Sequence, residues 1–411
     1  MSATSSDSPG SQPHPKGRYR ALPGSIWVLG LGSMFMDTSS ELVHSLLPAF
    51  MASVLGASVV SIGVIEGIAE ATAASTKVFS GALSDYFRNR KVLIVFGYGL
   101  SAITKPLFPL ATTLSWVFAA RFVDRVGKGI RGAPRDALIA DIVLPASRGT
   151  AYGLRQALDS VGAFLGPLAA LGFMALFAND ITEVLWVAVV PAFLAVLLLI
   201  VAVREPEPTQ QKTGPRTCFT LAGATRLPLR YWLVVALGAV FTLARFSEAF
   251  LILRARDVGL PLGSVPVVMV IMNVAYAMVA YPAGTAADRL SARTLLFVGL
   301  GMLIAADVAL ALASSPSLVF LGSALWGLHM AGTQGLLAKL VADTASVELR
   351  GIAFGIFNLV SGGALLLASL LAGALWSTCG PPSTFLAGAV FAALAAVGLA
   401  LYRPAAAAKK P

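Results

Sequence analysis

Between Arg121 and Asp141 the chain reads RFVDRVGKGIRGAPRDALIAD, a charged stretch set among apolar runs. At about 100° per residue, Arg121, Arg125, Lys128 and Arg135 share an arc of roughly 80°, with Asp124 and Asp136 on its flanks. One helix face therefore carries nearly all the charge. Basic groups in such a stripe can hold an anionic ligand, or they can hold a carboxylate. An unpaired charge at mid-bilayer costs about 2.5–3.5 kcal/mol on insertion scales, so in a membrane helix these side chains must face partners or a wet cavity. Candidate partners precede them in sequence. Asp37, Glu41 and His44 share one helical face with Pro48, and Glu66, Glu70 and Lys77 share another. An acid can gain and lose a proton, whereas an arginine beside it cannot, so such a pair switches between an ion pair and a protonated state.

The elements that must position these groups are membrane helices. Of 411 residues, 57% are hydrophobic and 12% charged, against about 25% charged in soluble domains. The apolar residues come in runs long enough to span a bilayer at about 20 residues each. The formal net charge of +10 does not point to nucleic acid, because the basic residues sit between the apolar runs and at the chain ends, as topology signals do. Cys218 and Cys379 are far apart and form no disulfide framework. Three scattered histidines are too few for a metal-ligand cluster, and no P-loop sequence is present. The sequence therefore predicts no metal, no cofactor, no ATP use and no enzyme activity.

Twelve apolar segments are expected, six in a bundle over 26–203 and six in a second bundle over 231–402. Residues 1–25, rich in Ser, Pro and Gly, read as a disordered cytoplasmic tail. Residues 204–230, with Pro206, Pro208, Gly214 and Pro215, read as a central cytoplasmic loop, and 403–411 as a cytoplasmic C-tail. Arg88, Arg90, Lys91, Arg148, Arg289, Arg293 and Arg350 all fall in connections on one side. The opposite connections, near Ala57, Ser115, Ser315 and Pro381, carry no Lys or Arg. This asymmetry places both termini in the cytoplasm; Arg254 and Arg256 are the exception. The two bundles repeat. Asp141, Arg148, Gly149, Ala151 and Gly153 match Asp343, Arg350, Gly351, Ala353 and Gly355, each pair 202 residues apart (343 minus 141). Parallel six-helix repeats imply a carrier with its substrate site between the halves.

Three motifs give the chain a family resemblance. Gly81, Leu83, Asp85, Arg90 and Lys91 lie on the pattern that major facilitator superfamily (MFS) transporters carry between helices 2 and 3, with Tyr86 where Arg is usual. The sequence echo at Asp288 and Arg289 supports reading both loops as a cytoplasmic gate, an ion-pair latch that must break when the inner side opens. Arg125 to Arg131 resembles the superfamily's helix 4 motif R-x-x-Q-G-x-G, with Lys128 in place of the glutamine and Arg131 in place of a glycine. The resemblance implies a proton-coupling role for Arg125. Since helices 1 and 4 line the cavity in that family, it also assigns Asp37 and Glu41 to coupling, leaving Glu66 and Glu70 structural, near the interface of the halves. Gly153, Gly162, Gly166 and Pro167 in helix 5 resemble the antiporter signature of superfamily exporters. Small residues there would let helix 5 approach the other half, and the proline would bend it.

Arg121, Lys128, His44, Arg245, Glu248, Asn273, His329 and Asn358 are the candidate substrate-cavity residues. Arg155 and Asp159, one turn apart, are expected to pair. The sequence thus predicts an all-α polytopic membrane protein of twelve transmembrane helices in two pseudo-symmetric six-helix bundles. It is expected to be a monomer in the bacterial cytoplasmic (inner) membrane, with membrane lipid, protons and a small-molecule substrate as partners and no nucleic acid. Its expected function is proton-coupled efflux of a drug or metabolite by alternating access. The alternative is proton-coupled uptake or exchange of an organic anion, such as a siderophore or phosphorylated metabolite. A passive channel would explain the buried acids poorly.

Overall fold

In hydrocarbon, every backbone N–H and C=O must find its partner within the protein, and an apolar run of about 20 residues does so by closing a helix. The computed structural model describes residues 22–87, 89–144, 147–203, 221–333, 335–346 and 349–402, with side chains described for all but 81–87, 221–223, 281 and 284–289. The first half comprises α1 (Gly24–Ser53), α2 (Val59–Phe87), α3 (Arg90–Thr104), α4 (Leu114–Ile142), α5 (Arg148–Leu176) and a sixth span made of α6 (Ile181–Val187) and α7 (Val189–Ala202). The second opens with a broken span, α8 (Leu229–Leu243) and α9 (Ala249–Asp257). It continues through α10 (Val267–Arg289), α11 (Ala292–Ala311), a second broken span of α12 (Pro316–Thr333) and α13 (Leu336–Thr344), then α14 (Arg350–Cys379) and α15 (Pro381–Leu401). These are the twelve expected membrane spans. The expected N-tail, most of the central loop and the C-tail fall outside the described residues.

Local sequence explains the ends and breaks. Asn89 and Thr113 cap α3 and α4 by accepting from the N–H groups of Val92 and Trp116. Gly335, at φ 76°, turns the chain between α12 and α13 in a conformation that disfavours any side chain. At the break in the sixth span, Ser39 of α1 donates to the Ala188 carbonyl at 2.6 Å. In the seventh span the chain leaves the helix around Arg245–Ser247, and the hydroxyl of Ser369 on α14 accepts from the Ser247 N–H. The two basic residues that broke the charge asymmetry have local tasks. Arg254 donates to the carbonyls of Leu310, Ala311 and Ala313 and pairs with Asp257; Arg256 donates to the Leu260 carbonyl. A basic side chain on a helix C-terminus satisfies carbonyls that have no helical partner.

Within the first half α1 packs on α5 and α7, and α4 on α2 and α3; within the second α12 packs on α10 and α11, and α15 on α11. The halves meet through α2 against α14, α5 against α10, and α1 against α9. Among the described residues one apolar core joins both halves at the end remote from the termini. It includes Leu46, Phe50, Phe250, Leu253 and Ala372. At the end bearing the termini the core divides into a cluster around Ile26, Leu138 and Leu199 and another around Tyr231, Val341 and Ala353. The closed end is sealed by backbone proximity. A Cβ on Gly63 would lie 2.6 Å from the Ser369 carbonyl oxygen, and one on Gly373 3.1 Å from Val60 Cα.

Candidate functional site

Three helices of the first half bring their charged faces together. Arg121 of α4 donates to Glu66 of α2 at 2.8 Å, with both side chains all but inaccessible. The ring of His44 on α1 continues the chain, its Nδ1 3.4 Å from Glu41 Oε2 and its Nε2 3.9 Å from Glu66 Oε2. One turn along α4, Arg125 pairs with Glu70 at 3.2 Å. This partner differs from the sequence expectation. Angular position on isolated helices cannot decide which neighbouring helix an arginine meets, and α2 packs far more extensively on α4 than α1 does. Glu66 and Glu70 are therefore the direct ion partners, while Glu41 joins them through His44 and Asp37 lies nearer Arg131, Arg135 and Asp159. Lys128 makes no ion pair with any described residue, although its charge acts on Asp37, Glu41 and Glu70. Four buried polar atoms here have no hydrogen-bond partner: His44 Nε2, Glu66 Oε1, Arg121 Nε and Arg125 Nε.

Two further charged groups flank this chain. Lys105, just past α3 and buried, donates to Asp124 at 3.0 Å and to Ser40 at 3.0 Å. Toward the termini, Arg131 donates to Ser101 at 2.6 Å and lies over the Tyr98 ring, 4.7 Å from its centroid. There Arg135 and Arg155 share Asp136 and Asp159, and Arg155 reaches Asp159 at 3.4 Å as expected for one helical turn. These ion pairs balance the charge that the stripe would otherwise expose to hydrocarbon.

Helix 5 differs from expectation. A Cβ on Gly162 would stand 2.5 Å from the Met34 carbonyl oxygen, and one on Gly166 2.6 Å from that of Thr38, so these glycines seat α5 on α1 of the same half. The same added Cβ atoms would stand 3.1 Å from Asp37 Cβ and 2.8 Å from Glu41 Cβ, so α5 backs the two acids of α1. Gly153 has nothing so close. The approach to the other half is polar. Pro167 lacks the N–H that would bond the Ala163 carbonyl, and Asn273 of α10 donates to that carbonyl at 3.0 Å.

The remaining sequence candidates divide. Glu248, at the broken seventh span, lies within electrostatic reach of His44, Glu41 and Glu70 across the interface, and Arg245 stands beside it. His329 is not a cavity residue. It is fully buried, its Nδ1 2.8 Å from the Gly299 carbonyl oxygen and its ring against Phe241. Asn358 is half-buried, with no hydrogen bond to another described residue. Of the expected gate, Arg90 pairs with Asp141 and Lys91 donates to the carbonyls of Ile200 and Val203 at 2.9 and 2.7 Å. Gly81, Asp85, Asp288 and Arg289 fall where side chains are not described. Sequence reading missed two buried polar groups, Lys105 and Asp307. Each is a single charged residue deep in an apolar run, and that was the available signal.

Two pseudo-symmetric helical bundles, with ionisable groups buried near where they meet, are the architecture of a multi-pass membrane transporter. The chain belongs to the Major Facilitator Superfamily, whose family model matches residues 29–254 and again 233–411. It is 34% identical to an MFS-type transporter of Methanocaldococcus jannaschii, over 91% of this chain and 93% of that one. Multidrug resistance protein 1 of Bacillus subtilis is 29% identical over 39% of this chain and 41% of its own length. The crystal structure of a mutant of the nucleoside transporter NupG superimposes with a TM-score of 0.76, at 14% identity, covering 92% of this chain and all of that one.

Proposed function

We propose that the protein exports small organic molecules in exchange for protons, by alternating access across a bacterial inner membrane, with both termini in the cytoplasm and the monomer as the working unit. The observation that carries this reading is the buried chain Glu41–His44–Glu66–Arg121, with Arg125–Glu70 one turn away, set where Glu248 of the other half approaches. Protonating an acid in such a chain releases the arginine it holds, and that changes the electrostatic balance between the halves. Asp37, one turn before Glu41 on α1 and within reach of Arg131, Lys128 and Arg135, supplies a further proton acceptor. The division of the core at the end bearing the termini favours a molecule caught open on that side, the cytoplasmic side by the charge asymmetry. Export is supported by the multidrug resistance relative and by the helix 5 motif.

A second reading, exchange of an organic anion, is favoured by Lys128, a cation without an ion partner among the described residues. Growth inhibition of an efflux-deficient bacterial host across a panel of unrelated toxic compounds separates the two. Protection against several compounds, lost in Arg125→Ala and after the proton gradient is dissipated, supports proton-coupled export. Sensitisation confined to anionic compounds supports the second reading. Absence of any effect relative to empty vector would remove both.

A further inference from the structure

The repeat places α3, α4 and α5 in register with α11, α12 and α14, since Arg90, Leu114 and Arg148 open helices 202 residues before Ala292, Pro316 and Arg350. At that offset Lys105 corresponds to Asp307, and Asp124 to Trp326. The first pair is closed, lysine to aspartate at 3.0 Å. In the second half the same two positions hold an acid and an indole, and neither is satisfied. Asp307 has no accessible surface, and among the described residues neither of its carboxyl oxygens has a hydrogen-bond partner; the buried Trp326 Nε1 likewise has none. Asp307 Oδ2 lies against the backbone of Gly388 on α15, where a Cβ would stand 2.7 Å away.

Among the described residues no counter-charge compensates this carboxyl. On its own helix Arg293 reaches the Ala400 carbonyl at the far end. From α12 comes His329, held by Gly299, and among described residues α15 contributes no ionisable side chain. The broken seventh span supplies Arg245, Glu248 and Arg254, the last held by the carbonyls that follow Asp307 and by Asp257. The short α13 carries Lys339 and Asp343. None of these stands at hydrogen-bond or ion-pair distance from Asp307. A carboxylate sealed in apolar surroundings without a cation is strongly disfavoured, whereas a carboxylic acid is tolerated.

One wall of the site is the non-helical break of the seventh span. Phe246 lies in the break of the seventh span, with its ring beside the Gly388 backbone, 5.4 Å from Trp326 and 5.5 Å from Phe385. We propose that Asp307 is a proton-binding site of the second half, occluded by Phe246 and opened when the break at 244–248 rearranges. A proton from water forms an O–H bond with one Asp307 oxygen, taking the side chain from a charge of −1 to neutral. Opening toward the other aqueous phase returns the proton to water. The inference rests on the proton-coupled reading above but places its carrier outside the Arg121–Arg125 cluster.

The test uses the full chain in liposomes and requires no substrate. Infrared difference spectra, with pH stepped from acidic to alkaline, should contain a carbonyl-stretch band of a protonated carboxyl that fades as carboxylate bands grow. The band should vanish in Asp307→Asn and persist in Glu41→Gln. A band that stays constant across the pH range, or the same titration in Asp307→Asn, overturns the proposal. Should Asp307→Asn fail to purify, labelling of the unsubstituted protein with an apolar carbodiimide, mapped by peptide mass spectrometry, decides the matter. An adduct on Asp307 that declines as pH rises supports the site, and its absence at every pH sinks it. The resistance panel is independent: a titrating band without protection removes the export reading alone, and protection without the band removes Asp307 alone.

Discussion

The two halves share a backbone plan and differ in what they bury. At the offset of 202, Arg121, Arg125, Lys128, Arg131 and Arg135 of α4 correspond to Ser323, Gly327, Met330, Thr333 and Leu337, so the fourth span of the second bundle is built without any of those charges. Its acidic counterparts are gone as well, since at the offset of 203 that relates Asp85 to Asp288 in the second span (288 minus 85), Glu66 and Glu70 become Met269 and Asn273. Both bundles nevertheless fold into the same six spans. The charges are therefore not required by the architecture, and the half that keeps them accepts the desolvation of Lys105, Arg121, Arg125 and Arg131. Even a close contact shared by the halves is remade. Gly97 and Gly127 bring the backbones of α3 and α4 together, whereas at the corresponding Gly299 and His329 an imidazole fills the gap and meets the carbonyl.

The contrast breaks most severely where a single member of a buried pair is removed. Glu66→Gln or Arg121→Met should each destabilise the protein by about 3–5 kcal/mol, while the double replacement recovers much of that, because an uncompensated buried charge is worse than none. Thermal unfolding in detergent reads this directly, and additive losses in the double variant would show that the pair is not coupled. A like-for-like comparison follows from the repeat. Asp124→Asn leaves Lys105 buried without its anion and should lose about 3 kcal/mol, whereas Asp307→Asn, replacing a group with no charged partner, should lose no more than about 1.5 kcal/mol. Equal losses at the two positions would erase the distinction between the halves.

Packing gives smaller effects. Gly166→Val would drive a side chain into the Thr38 carbonyl and Glu41 Cβ, at about 1–3 kcal/mol. On the export reading it should also weaken any resistance the protein confers, since Glu41 moves with α1; unchanged stability would show that α1 and α5 can separate freely. Least severe is Asn273→Ala, which removes one hydrogen bond between the halves. Bonds of this kind between membrane helices average about 0.6 kcal/mol, enough to shift an open–closed equilibrium roughly threefold with little change in melting temperature. Thiol labelling of a cysteine at Asn358 would report that shift.

Much of the fold was legible because hydrocarbon is an unforgiving solvent. Apolar runs of bilayer length leave few alternatives to helices, and the repeated Asp-to-Gly pattern after the fourth and tenth spans announces the internal duplication. The charged stripe was equally visible, and Arg155–Asp159 could be paired from a one-turn spacing. The partner of Arg125 could not, because Asp37, Glu41, Glu66 and Glu70 all lie on inward faces and helical angles do not rank them. His329 looked like a cavity residue for the same reason, since a polar side chain on an apolar helix must turn inward but can turn toward either of two neighbours.

By itself the sequence determined the spans, the duplication and the set of charges that had to be buried, since each follows from the cost of exposing polar groups to lipid. Tertiary packing decided which charges meet. Gly162 and Gly166 set α5 against α1 and thereby fix Asp37 and Glu41; the proximity of α2 to α4 gives Arg121 and Arg125 to Glu66 and Glu70. It also left Asp307 without a counter-charge among the described residues. Pairing depends on distances between helices of different sequence position, and those distances are set by how closely small residues let the backbones approach.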